Sequence, residues 1–464
     1  MKRTTPRRIT AALAGFALVL AACGGDDDSD ATPDPEPPAD EPADEPADEP
    51  ADEPADEPAD PPATDYEWDG SYPDPGVDDE VIKLGTSGPM SGPASAYGVI
   101  TSGFNVCADY INGEYGGIAM ADGVVRELEY EVYDDGYDPA NTVENVRRLN
   151  EQDGVFFMTG VLGTPPNTAI IDYVEDEEFP NLFVSTGASR WGRDFQSGEY
   201  QWTMGWQPAY TTESAVYVEY LEENHPGSTV AILMQNDDYG RDYVDGFKLS
   251  LEGTSIEVIA EQTYEVTDPT VDQQVTELAN SGADVFYNVT TPRFAAQAIT
   301  RVGQLDWDPI HLLNNVSASV GGVLVPAGIE ASTGILSTQW FKDPTDPNWD
   351  DDPAMIEYRR VMAEYGGGQD PDDPFTMFMW TQCELLKQLL PQTYPTREHL
   401  MQNVANLGAL NIEIDVLLPG INVSTEPGDG YPLEAMQIVQ FNGEFFETIG
   451  EPIIFDGQTA DMVN

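Results

Sequence analysis

Basic side chains are scarce in this chain of 464 residues: 19 Lys and Arg stand against 84 Asp and Glu, a formal net charge of −65. Phosphate binding needs a basic face, so a nucleic-acid partner is excluded. Three histidines, His225, His311 and His399, are scattered without the spacing of a zinc site, so no metal is expected. A nucleophile elbow, a Walker A loop and a dinucleotide glycine fingerprint are absent, and with them the usual hydrolase, nucleotidase and dehydrogenase readings. No enzyme and no cofactor is expected. Only three cysteines occur, and no apolar run is long enough to span a bilayer.

Residues 1–23 read as an export signal. Lys2, Arg3, Arg7 and Arg8 precede a short apolar run over 9–20, which ends in Leu20-Ala21-Ala22-Cys23. The small residues before Cys23 resemble the bacterial lipobox, in which the cysteine is lipidated and becomes the new N-terminus. Cys23 is therefore the expected anchor to the cell membrane; the alternative is an ordinary cleaved signal with a chance cysteine. Residues 24–80 are expected to form a disordered acidic tether. From 26 to 80 there are 24 acids and no bases, with an Ala-Asp-Glu-Pro repeat over 39–58. Such a stretch cannot bury a core. Proline and like-charge repulsion extend it, to a reach on the order of 150 Å at about 3.1 Å per residue. Its other reading is an acidic tail that binds a partner.

Beyond residue 80 the chain holds 60 acids and 15 bases, a charge of −45, which fits an acidic, soluble surface or a saline habitat. Some 384 residues are enough for two α/β domains. Two cysteines remain in them, Cys107 and Cys383. Both fall in expected helices, and two buried free thiols are favoured over a disulfide.

Short β-rich runs alternate with amphipathic segments, as in parallel βαβ units. Strands are expected at 81–86, 128–133, 155–160 and 182–185, then in a second series at 229–234, 257–264, 285–289 and 311–313. Two segments, 201–208 and 334–340, are the candidate crossovers between the series. Helices are expected over 375–390 and 397–407, and a hairpin over 436–455 turning at Asn442-Gly443. The fold class that follows is α/β, with two Rossmann-like parallel-sheet lobes joined by a hinge of several crossovers. Lobe I takes 81–205 and 335–415, and lobe II takes 206–334 and 416–456.

Within this frame Ile82-Lys83-Leu84-Gly85-Thr86-Ser87-Gly88-Pro89-Met90-Ser91-Gly92-Pro93, continuing to Tyr97-Gly98, resembles the opening of the type I periplasmic binding proteins of the leucine/isoleucine/valine-binding family. Asp134-Asp135-Gly136-Tyr137-Asp138-Pro139, Gln235-Asn236-Asp237-Asp238-Tyr239-Gly240 and Asp284-Val285-Phe286 carry the same resemblance, which runs from about 81 to 455. It implies a type I periplasmic binding protein fold and a lipid-anchored, extracytoplasmic lipoprotein that captures a small solute between lobes and docks on the permease subunits of an ABC importer. A sensory binding protein for an amide, a urea-like compound or an aromatic or organic acid is the alternative.

The resemblance also implies site residues. Tyr97 matches an aromatic beside the ligand, and Thr164 and Ser189 lie near positions that hold a ligand carboxylate; Gly187 stands in the turn 185–189 after a strand, whose backbone N–H groups and hydroxyls are suited to the same task. Tyr239 matches a second-lobe aromatic that covers the ligand. Thr290, Thr291, Asn315 and Phe378 fall near ligand-facing positions, and Trp206 near the wall. One departure limits the substrate: amino-acid binders of the family place an acid in the second lobe against the ligand ammonium, whereas the matching stretch here is Leu313-Asn314-Asn315-Val316-Ser317-Ala318-Ser319. A buried ammonium without a partner is costly. Asp237 or Asp238 is the candidate substitute, and Arg293 a candidate partner for an organic acid.

Overall fold

A computed structural model of the protein describes residues 66–459. The expected signal, Cys23 and most of the tether lie outside the described residues. Lobe I begins with β1 (Val81–Gly88), α1 (Gly98–Tyr115), β2 (Ile118–Ala119), β3 (Val125–Asp134), α2 (Pro139–Arg148), β4 (Phe157–Thr159), α3 (Thr164–Asp176), β5 (Asn181–Val184), α4 (Arg190–Ser197) and β6 (Thr203–Gly205). The strands form one sheet in the order β2-β3-β1-β4-β5-β6, parallel except for β2. β4 and β5 are buried along their whole length, as central strands covered by helices on both faces must be.

Lobe II contains α5 (Tyr210–Asn224), β7 (Thr229–Gln235), α6 (Asp238–Ser250), β8 (Glu257–Tyr264), α7 (Asp272–Ala279), β9 (Val285–Val289), α8 (Pro292–Gln304), β10 (Ile310–Leu313), the short turns α9 (Val325–Ala327) and α10 (Ile329–Ser332), and β11 (Leu336–Gln339). The chain then returns to lobe I as α11 (Pro353–Tyr365), α12 (Pro374–Leu389) and α13 (Arg397–Val404) before closing lobe II with the hairpin β12 (Ala435–Phe441) and β13 (Phe446–Ile454). The second sheet runs β13-β12-β11-β10-β9-β7-β8, with the hairpin antiparallel on one edge.

Part of the acidic excess starts helices. Asp138, Asp352 and Asp373 each precede a proline, and each carboxylate accepts from the amide two residues on, at 2.9, 3.1 and 3.0 Å. Aspartate satisfies an orphan N–H, and proline at the first helical position has none to lose.

Three expectations are corrected. Both candidate crossovers contain a strand: 201–208 holds β6, and 334–340 holds β11, which pairs with β10 and β12. The second crossing therefore follows Gln339, and the boundary at 335 falls one strand too early. The folded body also begins before residue 81. Tyr66 packs on His399 with ring centres 4.5 Å apart, Asp74 accepts from the Arg397 amide at 2.8 Å, and Val77 bridges to Ile82. The Tyr72 hydroxyl oxygen accepts from the buried Arg126 guanidinium at 3.0 Å. Val77 is buried and Tyr66 and Tyr72 half-buried, although the composition around them is that of a tether. Finally, Cys107 and Cys383 form a disulfide between α1 and α12, with Cα atoms 5.6 Å apart.

The three crossings are stitched together by aromatics. Trp206, Trp340, Phe341 and Phe378 pack edge to face with ring centres 4.8 to 6.3 Å apart, and Phe341 bridges to Leu417 of the third crossing.

Candidate functional site

The ends of the parallel strands meet across the lobes. Residues that follow β1, β3, β4 and β5 in lobe I (Tyr97, Ile100, Tyr137, Leu162, Gly163, Ser185) and β7, β9 and β10 in lobe II (Tyr239, Thr291, Asn315, Val316, Ala318) enclose one cavity of about 50 Å³. The crossings add Gln207 and Phe341, the elements beside them add Tyr210 from the start of α5 and Gln339 from the end of β11, and α12 adds Pro374, Phe375 and Phe378 from its first turns. Carboxyl ends of parallel strands are where α/β sheets bind ligands, because the chain turns there and leaves a crevice. About 50 Å³ is room for several water molecules or a small organic group.

Seven of the lining side chains are aromatic and none carries a charge. Burial pushes the phenols of Tyr97, Tyr137 and Tyr239 well above the ordinary value, and that of Tyr210 up to about 12, so all four are neutral hydroxyls near pH 7. Each is positioned by its own device. Tyr137 has a positive φ of 64°, a conformation rare for a bulky residue. The buried Asp135 carboxylate holds it there by accepting from the Tyr137 amide (2.9 Å), Ser87 (2.9 Å) and Thr142 (3.0 Å). A side chain at Gly163 would strike the Tyr137 ring, its Cβ lying 2.5 Å from a ring carbon. The Tyr239 hydroxyl is tied at 2.6 Å to the Asn314 amide, whose NH2 in turn donates to the carbonyls of Thr290 and Asn288. Tyr97 reaches from lobe I and donates to the Val316 carbonyl of lobe II at 2.9 Å.

Of the residues expected from sequence, Tyr97, Tyr239, Asn315 and Phe378 meet at the cavity, as does Thr291. The other five do not line it. Trp206 is buried in the crossing cluster and donates to Thr381 at 2.9 Å. Thr290 lies one residue before the wall and donates to Asn288 at 2.7 Å. Gly187 sits against Pro208 and Tyr210, where a Cβ would come within 2.6 Å of a carbonyl oxygen. The Thr164 hydroxyl pairs with Thr186 at 2.6 Å. Ser189 gives both its amide (2.9 Å) and its hydroxyl (2.5 Å) to the carboxylate of Asp242, which comes from α6 of lobe II.

The candidate counter-charges are also engaged elsewhere. Asp237 caps α6, accepting from the amides of Tyr239 and Gly240; Asp238 pairs with Arg241 at 2.7 Å; and Arg293 donates to the Pro269 carbonyl on the surface. Sequence reasoning missed two acids behind the wall, the half-buried Asp242 and the buried Glu213. Asp242 is raised to about 6, mainly by burial, against which the two Ser189 hydrogen bonds work. Glu213, in the first turn of α5, accepts from Tyr243 (2.6 Å), the Asn315 amide (2.7 Å) and Tyr217 (3.1 Å), and burial raises it to about 7. Among the described residues no group of three His, Cys, Asp or Glu is placed to hold a metal ion, and no helix is long and apolar enough to cross a membrane.

A family model described as periplasmic binding protein matches residues 81–444. The leucine-, isoleucine-, valine-, threonine-, and alanine-binding protein of Pseudomonas aeruginosa is 24% identical over 209 residues, 45% of this chain and 53% of that protein. The Leu/Ile/Val-binding protein homolog 3 of Brucella melitensis is 23% identical over 213 residues, 44% and 53% of the two chains. The chain thus spans about half the length of the curated relatives it matches. Among solved structures, a branched chain amino acid ABC transporter protein from Thermus thermophilus with bound valine superposes with a TM-score of 0.70 at 14% identity, covering 82% of this chain and 97% of that one. A fatty acid ABC transporter substrate-binding protein from Thermomonospora curvata does so with a TM-score of 0.65 at 18% identity, covering 84% and 97%. At such identities the likeness establishes the two-lobed fold.

Proposed function

Because the chain belongs to the periplasmic binding protein family, we propose that it is an extracytoplasmic substrate-binding protein that holds a small solute between its lobes and delivers it to the permease subunits of an ABC importer. The observation that carries this reading is the cavity itself, walled by strand ends of both lobes and bridged by Tyr97 and Val316. Burial between lobes supplies affinity, and a micromolar site needs only about −8 kcal/mol net. Cys23 anchors the protein through a lipid, and the acidic stretch that follows lifts the binding body from the membrane. The protein performs no catalysis in this reading; its aromatic wall offers neither a nucleophile paired with a base nor a charged group to stabilise a transition state.

A thermal-shift screen of the chain from residue 66 onward, against branched-chain and other amino acids, short amides, urea and aromatic acids, tests the reading. A ligand at 100 times its dissociation constant adds about 2.7 kcal/mol and raises Tm visibly. A shift that Phe378→Asp abolishes is the expected result. A shift that survives this variant unchanged places the ligand outside the cleft and contradicts the reading.

A further inference from the structure

We propose that Tyr137 is the residue that selects the solute, its phenol hydroxyl donating to an oxygen acceptor on a small molecule with an apolar body. The proposal rests on the solute-capture reading and names the substrate class of that cleft.

Four tyrosines line the cavity, Tyr97, Tyr137, Tyr210 and Tyr239, and three of them have their hydroxyls bonded to the protein. Tyr97 donates to the Val316 carbonyl at 2.9 Å, Tyr239 donates to the Asn314 side-chain oxygen at 2.6 Å, and the Tyr210 hydroxyl lies 3.2 Å from that of Thr186. Tyr137 is the exception. Its amide donates to Asp135, but its hydroxyl has no partner among the described residues. The side chain is nonetheless only 8% exposed, on the wall of the cavity. A buried hydroxyl without a partner is costly, and native structures keep few of them. Since no protein group completes this bond, the contents of the cavity must.

The phenol arrives as a donor. Burial, then the Asp237 carboxylate and the phenols of Tyr210, Tyr97 and Tyr264, push it well above its ordinary value, so it offers a proton and no charge near pH 7. Asp237 and Tyr264 belong to lobe II, so this hydroxyl of lobe I lies toward the opposite lobe. The local chain accepts strain to put it there. A φ of 64° is unfavourable for tyrosine, and Gly163 keeps clear the place where a Cβ would lie 2.5 Å from a carbon of the ring. Strained positions of this kind gather at ligand sites, where the surroundings over-determine them.

The rest of the wall fits an apolar body. Ile100, Leu162, Val316, Phe375 and Phe378 surround the space with carbon. A carbonyl and a carboxylate present the same kind of acceptor oxygen to a phenol, and the probes separate the two.

Titration calorimetry of wild type, Tyr137→Phe and Tyr97→Phe with benzamide, benzoate and toluene tests this, since the three probes share one ring and carry a carbonyl, a carboxylate and no acceptor. Tyr137→Phe is expected to lower the affinity for benzamide or benzoate relative to toluene at least about fivefold. A loss on the benzamide arm assigns a neutral carbonyl, and a loss on the benzoate arm a carboxylate. Tyr97→Phe removes a bond between the lobes, so it is expected to weaken all three probes alike and keep their ratios. Ratios are read because a variant that merely loosens packing weakens every probe together. Toluene alone bound by the wild type, ratios unchanged in Tyr137→Phe, or the same change of ratio in Tyr97→Phe overturns the inference and leaves solute capture standing. No heat from any probe with the wild type overturns both.

Discussion

Replacing Cys107 and Cys383 together by alanine lowers stability by about 4 kcal/mol, read as a fall in Tm of roughly 5–10 °C. Lobe I is assembled from two stretches of chain, one on each side of lobe II, and the disulfide is the covalent tie between them: α1 belongs to the first stretch and α12 to the second. The bridge closes a loop of 276 residues, so an unfolded chain that lacks it gains much conformational freedom. Both cysteines are fully buried, so alanine is the gentler replacement and a serine hydroxyl would add a penalty of its own. Incubating the wild type with a strong reductant under partly unfolding conditions produces the same fall. A Tm change under about 1 °C would mean that packing of α12 against α1 alone holds the lobe together.

Glu213→Ala is expected to cost on the order of 4 kcal/mol and to weaken binding of any cleft ligand. The carboxyl group gathers the hydroxyls of Tyr243 and Tyr217 and the amide of Asn315; truncation takes this acceptor from Tyr243 and Asn315, while Tyr217 keeps the Leu313 carbonyl at 2.7 Å. Asn315 lines the cavity, so the loss reaches the wall. The same group sets a pH dependence. Burial raises Glu213 to about 7 from 4.5, so between these values the native state holds a proton that the unfolded chain has released. Its contribution to stability is complete below pH 4.5 and is lost as pH rises through about 7. Asp242 and Asp373, each raised to about 6, and Glu434, raised to about 7, act in the same direction. Tm is therefore expected to rise as pH falls from 8 to 5, and Glu213→Gln to flatten part of that slope. A Tm that falls over this range contradicts the buried acids.

Much of this was legible in the residues. Alternating β-rich and amphipathic runs fixed both strand series, and Asn442-Gly443 marked the hairpin that closes the second sheet. Tyr97, Tyr239, Asn315 and Phe378, carried over from the family resemblance, fall on the cavity wall. What escaped depends on distance in space rather than on local pattern. The pairing of Cys107 with Cys383 crosses 276 residues, and β11 is too short for its four residues to announce which sheet they join. Tyr137 sits in a quoted motif, yet its approach to the cavity depends on a left-handed φ that tyrosine seldom adopts. Glu213 and Asp242 lie in helices among 60 acids of the folded body, and nothing in the sequence separates a buried acid from a solvated one. Ser189 was placed near a carboxylate, and in the structure the carboxylate is Asp242.

Solution X-ray scattering of the chain from residue 66 onward, alone and saturated with a solute that raises its Tm in the thermal-shift screen, tests solute capture most directly. Tyr97 meets Val316 and Ser189 meets Asp242 across the lobes; if the ligand-bound state is the one with these contacts made, the account predicts a smaller radius of gyration with the ligand and no such change for a Phe378→Asp variant that fails to bind. A bound probe that leaves the wild-type scattering profile unchanged would contradict capture by closure between the lobes.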